Sequence, residues 1–495
     1  MSKATYSIHI EQPPLARLAR PGHALTGTRL LLPGIAIVAA LTGVLVAIAG
    51  LNALYLAFAL IGCAFILLDF RIGVVLLIVL LPISRSAVFP HAMMGITGLN
   101  PLNLLLVGTL GSYFLQALTD GSLRRFLPPP LFWLYLVPLV IAGVLGSRQV
   151  DQIAPAFTTE EVMLFDTAAT YTREMVLKPL MLVVFALLVA AAVAKSRQPE
   201  HFLGPTMISI WVMGGMVVVY FVLSGVALGD LAGSDSRGFL SGLGMHANEL
   251  GRLYAVAYAL LLYTWSECRG TALKTALLAS MAMVVIALLL TFSRSAFIGL
   301  VLVSALFLVE RLSARTVIFA VVVAALALAA VPGAVYERAT AGLGDGLNAI
   351  TAGRLEGLWL PLLPEVLRNP IIGSGHGSIL WSDTMRVGGD HVIAAMHPHS
   401  AYLQAVMDMG IVGLVLVGAY FVHVWRGFRR LSRDGELSPA LRGFFRGAAA
   451  GLLCFLLVGV VDSSLMPKPE QAFLWLAIGM MYGFGARKAA AIPPH

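Results

Sequence analysis

TMISIWVMGGMVVVYFVLSGVAL, residues 206–228, contains no charged side chain. As an α-helix it would extend about 34 Å at 1.5 Å per residue, enough for the roughly 30 Å hydrocarbon core of a bilayer. A helix that is apolar on every face needs burial on every face. Similar runs recur from Leu30 to Phe484 with no long polar region between them that could fold by itself. Across 495 residues the chain is 59% hydrophobic and only 12% charged, with mean hydropathy +0.89. Those values exclude an ordinary soluble globular protein. The reading is an all-α, polytopic transmembrane helix bundle of about 12–14 spans.

Fourteen spans are expected near residues 30–49, 52–69, 72–85, 102–118, 129–146, 177–195, 206–228, 249–266, 274–292, 295–311, 314–332, 400–424, 443–461 and 469–485. The third is shorter than the roughly 20 residues that a spanning helix needs. The formal charge of +8 does not point to nucleic acid, because the basic residues sit in short clusters between apolar runs. Lys and Arg accumulate in cytoplasmic loops. With the N-terminus inside, nearly every cluster falls on that side: Arg17 to Arg29, Arg71, Arg124 with Arg125, Lys195 with Arg197, Arg269 with Lys274, Arg311 with Arg315, Arg426 to Arg446, and Arg487 with Lys488.

The expected organisation is a cytoplasmic tail over 1–29, helices over 30–332, a large external loop over 333–399, helices over 400–486 and a cytoplasmic tail over 487–495. Residues 1–29 lack the small-residue cleavage site of a signal peptide. Cys63, Cys268 and Cys454 are odd in number and lie in or near spans or on the cytoplasmic side, so no external disulfide framework is expected. No internal repeat and no phosphate-cradling Walker loop is present.

The ionisable residues concentrate in 333–399, which holds Arg338, Arg354, Glu356, Arg368, His376, Asp383, Arg386, Asp390, His391, His397 and His399. Gly373, Gly375 and Gly377 predict a tight turn there. In His397-Pro398-His399-Ser400-Ala401-Tyr402, Pro398 disfavours helical geometry at His397, and the residues from Ser400 onward read as a helix entering the membrane. His399 then stands at the mouth of a span.

The run from His399 and Ser400, through nine residues to Gly410 and then Gly413, resembles the signature of bacterial O-antigen ligases and the related O-antigen polymerases. Thr291-Phe-Ser-Arg294-Ser-Ala, His246-Ala-Asn248-Glu-Leu-Gly251, Gly353-Arg354 before Trp359, Asn369-Pro370 and the Gly375-His-Gly377 turn are similar to further elements of that superfamily. The resemblance covers about residues 230–415. It implies a bundle like those of other membrane glycosyltransferases (GT-C-like). It also implies transfer of an undecaprenyl-diphosphate-linked glycan, at the periplasmic face of a bacterial inner membrane, to a lipid A core sugar or to a growing glycan. Ligase and polymerase readings both stay open. No cofactor, no metal and no nucleic-acid partner is implied, and the surrounding partners are membrane lipids.

The chemistry fits these residue types. Arginine pairs bidentately with phosphate oxygens and stays charged, and histidine can take a hydroxyl proton near neutral pH. Arg294 is expected to hold the diphosphate, because it lies outside, against the positive-inside trend; otherwise it merely snorkels at a helix end. His399 is expected as catalytic base or as the residue that orients the acceptor; otherwise it is a boundary histidine that hydrogen-bonds a loop carbonyl. Arg237, Arg354, Asn248, His397, Ser400 and Tyr402 complete the expected substrate-binding set, with Gly410 and Gly413 structural. For Asn248 and Glu249 helix capping is the simpler account, and Asp408 is expected to orient a helix partner.

A zinc site within 376–399 is a weaker alternative, since neither i, i+4 histidine pairing nor Cys/His spacing is present. A transporter or flippase of lipid-linked oligosaccharides would also have many helices. Its charges would line an internal cavity, whereas here they gather in one external loop and at span ends.

Overall fold

The computed structural model describes residues 51–491 except 88, 94–95, 122–125, 155–156, 158–164, 166, 227–238, 312–317, 319–332, 334–335, 337–339, 341, 343, 387–394 and 462–463. The expected span at 30–49, the tails up to residue 29 and beyond 491, nearly all of 314–332, and Arg237 therefore lie outside the described residues.

The chain is all-α, and among the described residues strand is confined to a two-residue antiparallel pair, Ala92–Met93 with Ile96–Thr97. Its main helices are α1 (Leu51–Leu68), α2 (Phe70–Leu80), α3 (Pro101–Asp120), α4 (Pro129–Ser147), α5 (Ala168–Lys195), α6 (Leu203–Ser224), α7 (Ala247–Glu267), α8 (Thr271–Leu289), α9 (Arg294–Val309), α10 (Leu360–Arg368), α11 (Ala401–Ser432), α12 (Pro439–Val458) and α13 (Ala472–Ala491). Among the described residues, seven helices are long and apolar enough to cross a membrane: α3, α4, α5, α6 with the turn from Pro199, α8, α11 and α12. Shorter apolar helices run over Leu54–Leu68, Phe70–Leu80 and Arg294–Val309. The sequence pattern placed most of these elements, but not their ends. The weak segment at 72–85 is a helix only to Leu80, followed by a 3₁₀ turn at Pro82–Arg85. The helix expected from 177 starts instead at Ala168 and passes through a π-turn at Thr172–Leu177.

Short polar side chains start the helices. Asn100, Ser293, Ser400 and Ser438 each accept a hydrogen bond from a backbone N–H of the first turn, satisfying a donor that the helix itself leaves unpaired.

Close packing rests on glycine faces. Gly443 and Gly447 of α12 lie against the backbone of α7: a Cβ at Gly447 would stand 2.5 Å from Ala259 O, and one at Gly443 2.6 Å from Thr264 Cα. The same device joins α13 to α5, where a Cβ at Gly479 would meet Ala186 O at 2.4 Å. In lipid, where burial of apolar surface gives helices little reason to associate, such close approach is a main source of packing energy. Gly447→Ile is therefore expected to cost more than about 3 kcal/mol, because the obstacle is backbone that cannot yield. Loss of the monodisperse species in size-exclusion chromatography of the detergent-solubilised variant would register it, and an unchanged profile and melting temperature would refute it.

Part of the segment 333–399 packs into a core of its own. Leu358, Leu362, Ile379, Leu380 and Trp381 form a buried cluster with Met407 of α11 and with Val150 and Ile153 beyond α4. Its glycine turn docks onto α11 near residues 407–412.

Candidate functional site at the end of α12

The last turns of α12 and the residues just after them expose carbonyl groups that the helix cannot satisfy. Three of these carbonyls accept from donors of the expected site. Ala401 N donates to Gly459 O at 2.8 Å, Tyr402 OH to Leu456 O at 2.7 Å, and an Arg354 Nη1 to Val461 O at 2.6 Å. Ser400 is buried and caps α11, donating no freedom to the turn that precedes it. Trp359 Nε1 donates to Pro398 O at 2.7 Å, clamping that turn from the other side. Between these fixed points sits His399, half-buried, its ring edge-to-face with that of His397 at a centroid distance of 4.1 Å.

Arg294 opens α9, behind the cap Ser293. Ser293 Oγ donates to Asn248 Oδ1 at 2.8 Å and lies 2.9 Å from Ser295 Oγ. The capping role expected of Asn248 belongs instead to His246, whose Nδ1 accepts from Asn248 N at 3.2 Å. Asn248 thus binds the Thr291–Ala296 motif to the start of α7. Ser295 shares a small cavity with Phe455 and Val458 of α12, and with Arg252 and Glu470. Arg252 Nη2 and Glu470 Oε1 form an ion pair at 2.9 Å, with side-chain exposures of 10% and 1%. This pair was not anticipated, although an arginine inside an apolar helix is itself a signal. Arg294, Arg354, His397, His399, Ser400, Tyr402 and Asn248 are thus all tied, directly or through a neighbour, to one end of the bundle.

Backbone strain marks the same places. Among the described residues, three that are not glycine have left-handed φ: Phe292 at 49°, Ala352 at 58° and His399 at 50°. Each such residue costs roughly 1–2 kcal/mol. One is the expected base, and the other two lie two residues before Arg294 and Arg354. Residues held in sparsely populated φ/ψ regions cluster at functional sites, where the surrounding structure over-determines them.

Gly410 explains part of the His399 to Gly413 spacing. It breaks α11 with φ 64° and ψ −173°, which lets Ile411 N donate to Pro370 O at 2.8 Å and Val412 N to Ile371 O at 3.2 Å. A Cβ at Gly410 would lie 2.2 Å from Ile371 C, so only glycine fits. At Gly413 a Cβ would meet Met409 Cβ at 2.2 Å. Beside the break, Asp408 is buried and accepts from Gly377 N and Ser378 N at 3.0 Å and from Ser378 Oγ at 2.8 Å, while its other oxygen lies 2.9 Å from His376 Nδ1. The Tyr171 hydroxyl donates to His376 O. Asp408 does orient a partner, and the partner is the glycine turn rather than another span.

Asp408→Ala is expected to destabilise the protein by roughly 3 kcal/mol or more, since it strands several buried donors; Asp408→Asn, which keeps one acceptor, should cost less. Thermal unfolding in detergent would rank them, and equal melting temperatures for wild type and the alanine variant would contradict the assignment.

Among the described residues no group of three or more His, Cys, Asp and Glu could hold a metal ion. His376 is engaged with Asp408, His397 faces His399, and Asp390 and His391 lie outside the described residues.

Residues 278–418 match a family model described as O-Antigen ligase. That interval runs from α8 through Arg294, Arg354, the glycine turn, His399 and Gly410 to Gly413. A search of curated proteins finds no match.

Proposed function

We propose that this chain, a membrane protein of the O-antigen ligase superfamily by its residues 278–418, transfers a polyprenyl-diphosphate-linked glycan to a sugar hydroxyl at the outer face of a bacterial inner membrane. The observation that supports the proposal is that Arg354 and the turn at His399 are tied to the end of α12, where Ser295, the residue after Arg294, lines a small cavity, and that Arg294, Arg354 and His399 each stand at or two residues after a strained left-handed position.

The acceptor oxygen attacks the anomeric carbon as the bond from that carbon to the diphosphate oxygen breaks. His399 takes the hydroxyl proton, and the electron pair of the broken bond leaves with the diphosphate. Arg294 and Arg354 stabilise that departing charge, which grows in the transition state and so lowers the barrier. His397 and Tyr402 hold His399 and the start of α11 in place. Arg237, outside the described residues, is assigned to the donor as a further arginine suited to its phosphates. The lipid A core and a growing lipid-linked glycan are the two candidate acceptors.

The experiment is a transfer assay with purified, lipid-reconstituted protein, a polyprenyl-diphosphate-linked glycan, and both acceptors in competition, with EDTA present. Product on the core identifies a ligase, and a lengthened lipid-linked product identifies a polymerase. No product on either acceptor contradicts the proposal.

A further inference from the structure

A second concavity lies away from the end of α12. It has a volume of about 360 Å³ and is walled by the residues after α4 on one side and by 365–386 on the other. Two guanidiniums and two carboxylates line it, equal in number: Arg368 pairs with both carboxylates, with Asp383 at 2.6 Å and with Glu365 at 3.1 Å, while Arg386 Nη2 donates to the backbone carbonyl Gln152 O at 2.5 Å. The Arg368 guanidinium holds the Asp383 carboxyl below its usual range. A charge-balanced cleft offers no excess positive potential for a phosphate. It does offer acceptors and amides: the side chains of Gln149 and Gln152 carry no hydrogen bond among the described residues, and the carboxylates keep lone pairs to spare. Trp381 adds an aromatic wall, and its Nε1 also lacks a partner among the described residues. Amides, paired charges and an indole suit neutral, hydroxyl-rich rings.

One rim of this cleft is greasy. Ile372 lines it and is 57% exposed, beside Ile371 at 63% and Leu367 at 75%. On the opposite face of α10, Leu362 is fully buried. The exposed strip has a physical continuation. Pro370 and Ile371 are hydrogen-bonded to Ile411 and Val412 at the break in α11, and Ile411, Val412 and Val415 are themselves exposed on that spanning helix. A strip continuous with the lipid-facing side of a span meets lipid.

We propose that the cleft and its apolar rim bind a glycolipid, with uncharged sugar hydroxyls in the cleft and the hydrocarbon chain along Leu367, Ile371 and Ile372. The inference rests on the membrane reading of the chain and not on the transfer reaction. A lipid A core glycolipid and a polyprenyl-linked saccharide share the required chemistry.

The test uses full-length protein in nanodiscs of phosphatidylethanolamine and phosphatidylglycerol, with an octyl glucoside carrying a diazirine on its alkyl chain. Cross-links are mapped by mass spectrometry. Labelling is expected within 367–372, displaced by unlabelled dodecyl maltoside and not by dodecyl phosphate. Gln152→Trp, which fills the cleft from an exposed position, should lower it about tenfold, the loss of one or two hydrogen bonds and their packing. Gln149→Leu is the second variant if that one misfolds. His399→Ala should label like wild type, which separates failure of this site from failure of the transfer reading. Displacement by lipid A core or by the polyprenyl-linked saccharide supports the site and identifies its source. Labelling that neither displaces, that dodecyl phosphate displaces equally, or that both glutamine variants leave unchanged overturns it.

Discussion

His399→Ala is expected to lower the transfer rate by about 10²- to 10⁴-fold, the contribution of a positioned general base, while the protein stays folded in the membrane. The second half of that expectation follows from the frame around the histidine. Ser400 caps α11, Ala401 N reaches Gly459 O and Trp359 holds Pro398 O, so the turn is fixed by groups other than the imidazole. The left-handed φ of 50° adds a control. Asparagine adopts that region more readily than alanine. His399→Asn should therefore match or exceed the alanine variant in thermal stability and be as inactive. Kinetics and melting of the two variants, measured together, separate a role in proton transfer from a role in holding the turn. Activity in the asparagine variant near the wild-type rate would leave His399 a purely structural residue.

Arg294→Ala is expected to lower turnover by about 10²- to 10³-fold, as removal of one preorganised donor from a developing anion does elsewhere. Arg294→Lys should remain impaired by tenfold or so, because an ammonium cannot reproduce the planar two-point contact of a guanidinium with phosphate. The distinction lies in which constant falls. If Arg294 meets charge that appears as the diphosphate leaves, kcat and kcat/KM drop together. A raised KM with unchanged kcat would mean that it only anchors the donor. Wild-type kinetics for the lysine variant would show that any positive charge suffices there. The position at the first residue of α9 adds the positive end of a helix dipole to the arginine's own charge.

Much of the fold is legible in the chain because an apolar stretch of bilayer length has few alternatives. Residues 206–228 announce α6 by composition alone. Where the reading goes astray, the cause is a partner distant in sequence. Asn248 looks like a cap because it is an asparagine at a helix start, yet its carboxamide oxygen is taken by Ser293, 45 residues away. Asp408 reads as an intramembrane charge in search of a helix, and its partners are His376, Gly377 and Ser378, about 30 residues upstream.

Arg252 and Glu470, 218 residues apart, escape notice as a pair because each alone is a single charge near the start of an expected span. The glycines of α12, spaced by four at Gly443 and Gly447, carry a signal that apolar composition hides. Only the facing backbone of α7 gives them meaning. Gly410 is the instructive intermediate: its spacing from His399 is visible in the sequence, but the reason for it is the carbonyl of Ile371.

The most direct test of the account is the initial rate of glycan transfer by reconstituted wild-type, His399→Asn and Arg294→Lys proteins, each matched for folded protein in the same lipid with one polyprenyl-diphosphate-linked donor. The account predicts measurable transfer by wild type alone at full rate, at least about a hundredfold less for His399→Asn, and an intermediate rate for Arg294→Lys. Equal rates for all three folded proteins would contradict it, and would move the chemistry away from the end of α12.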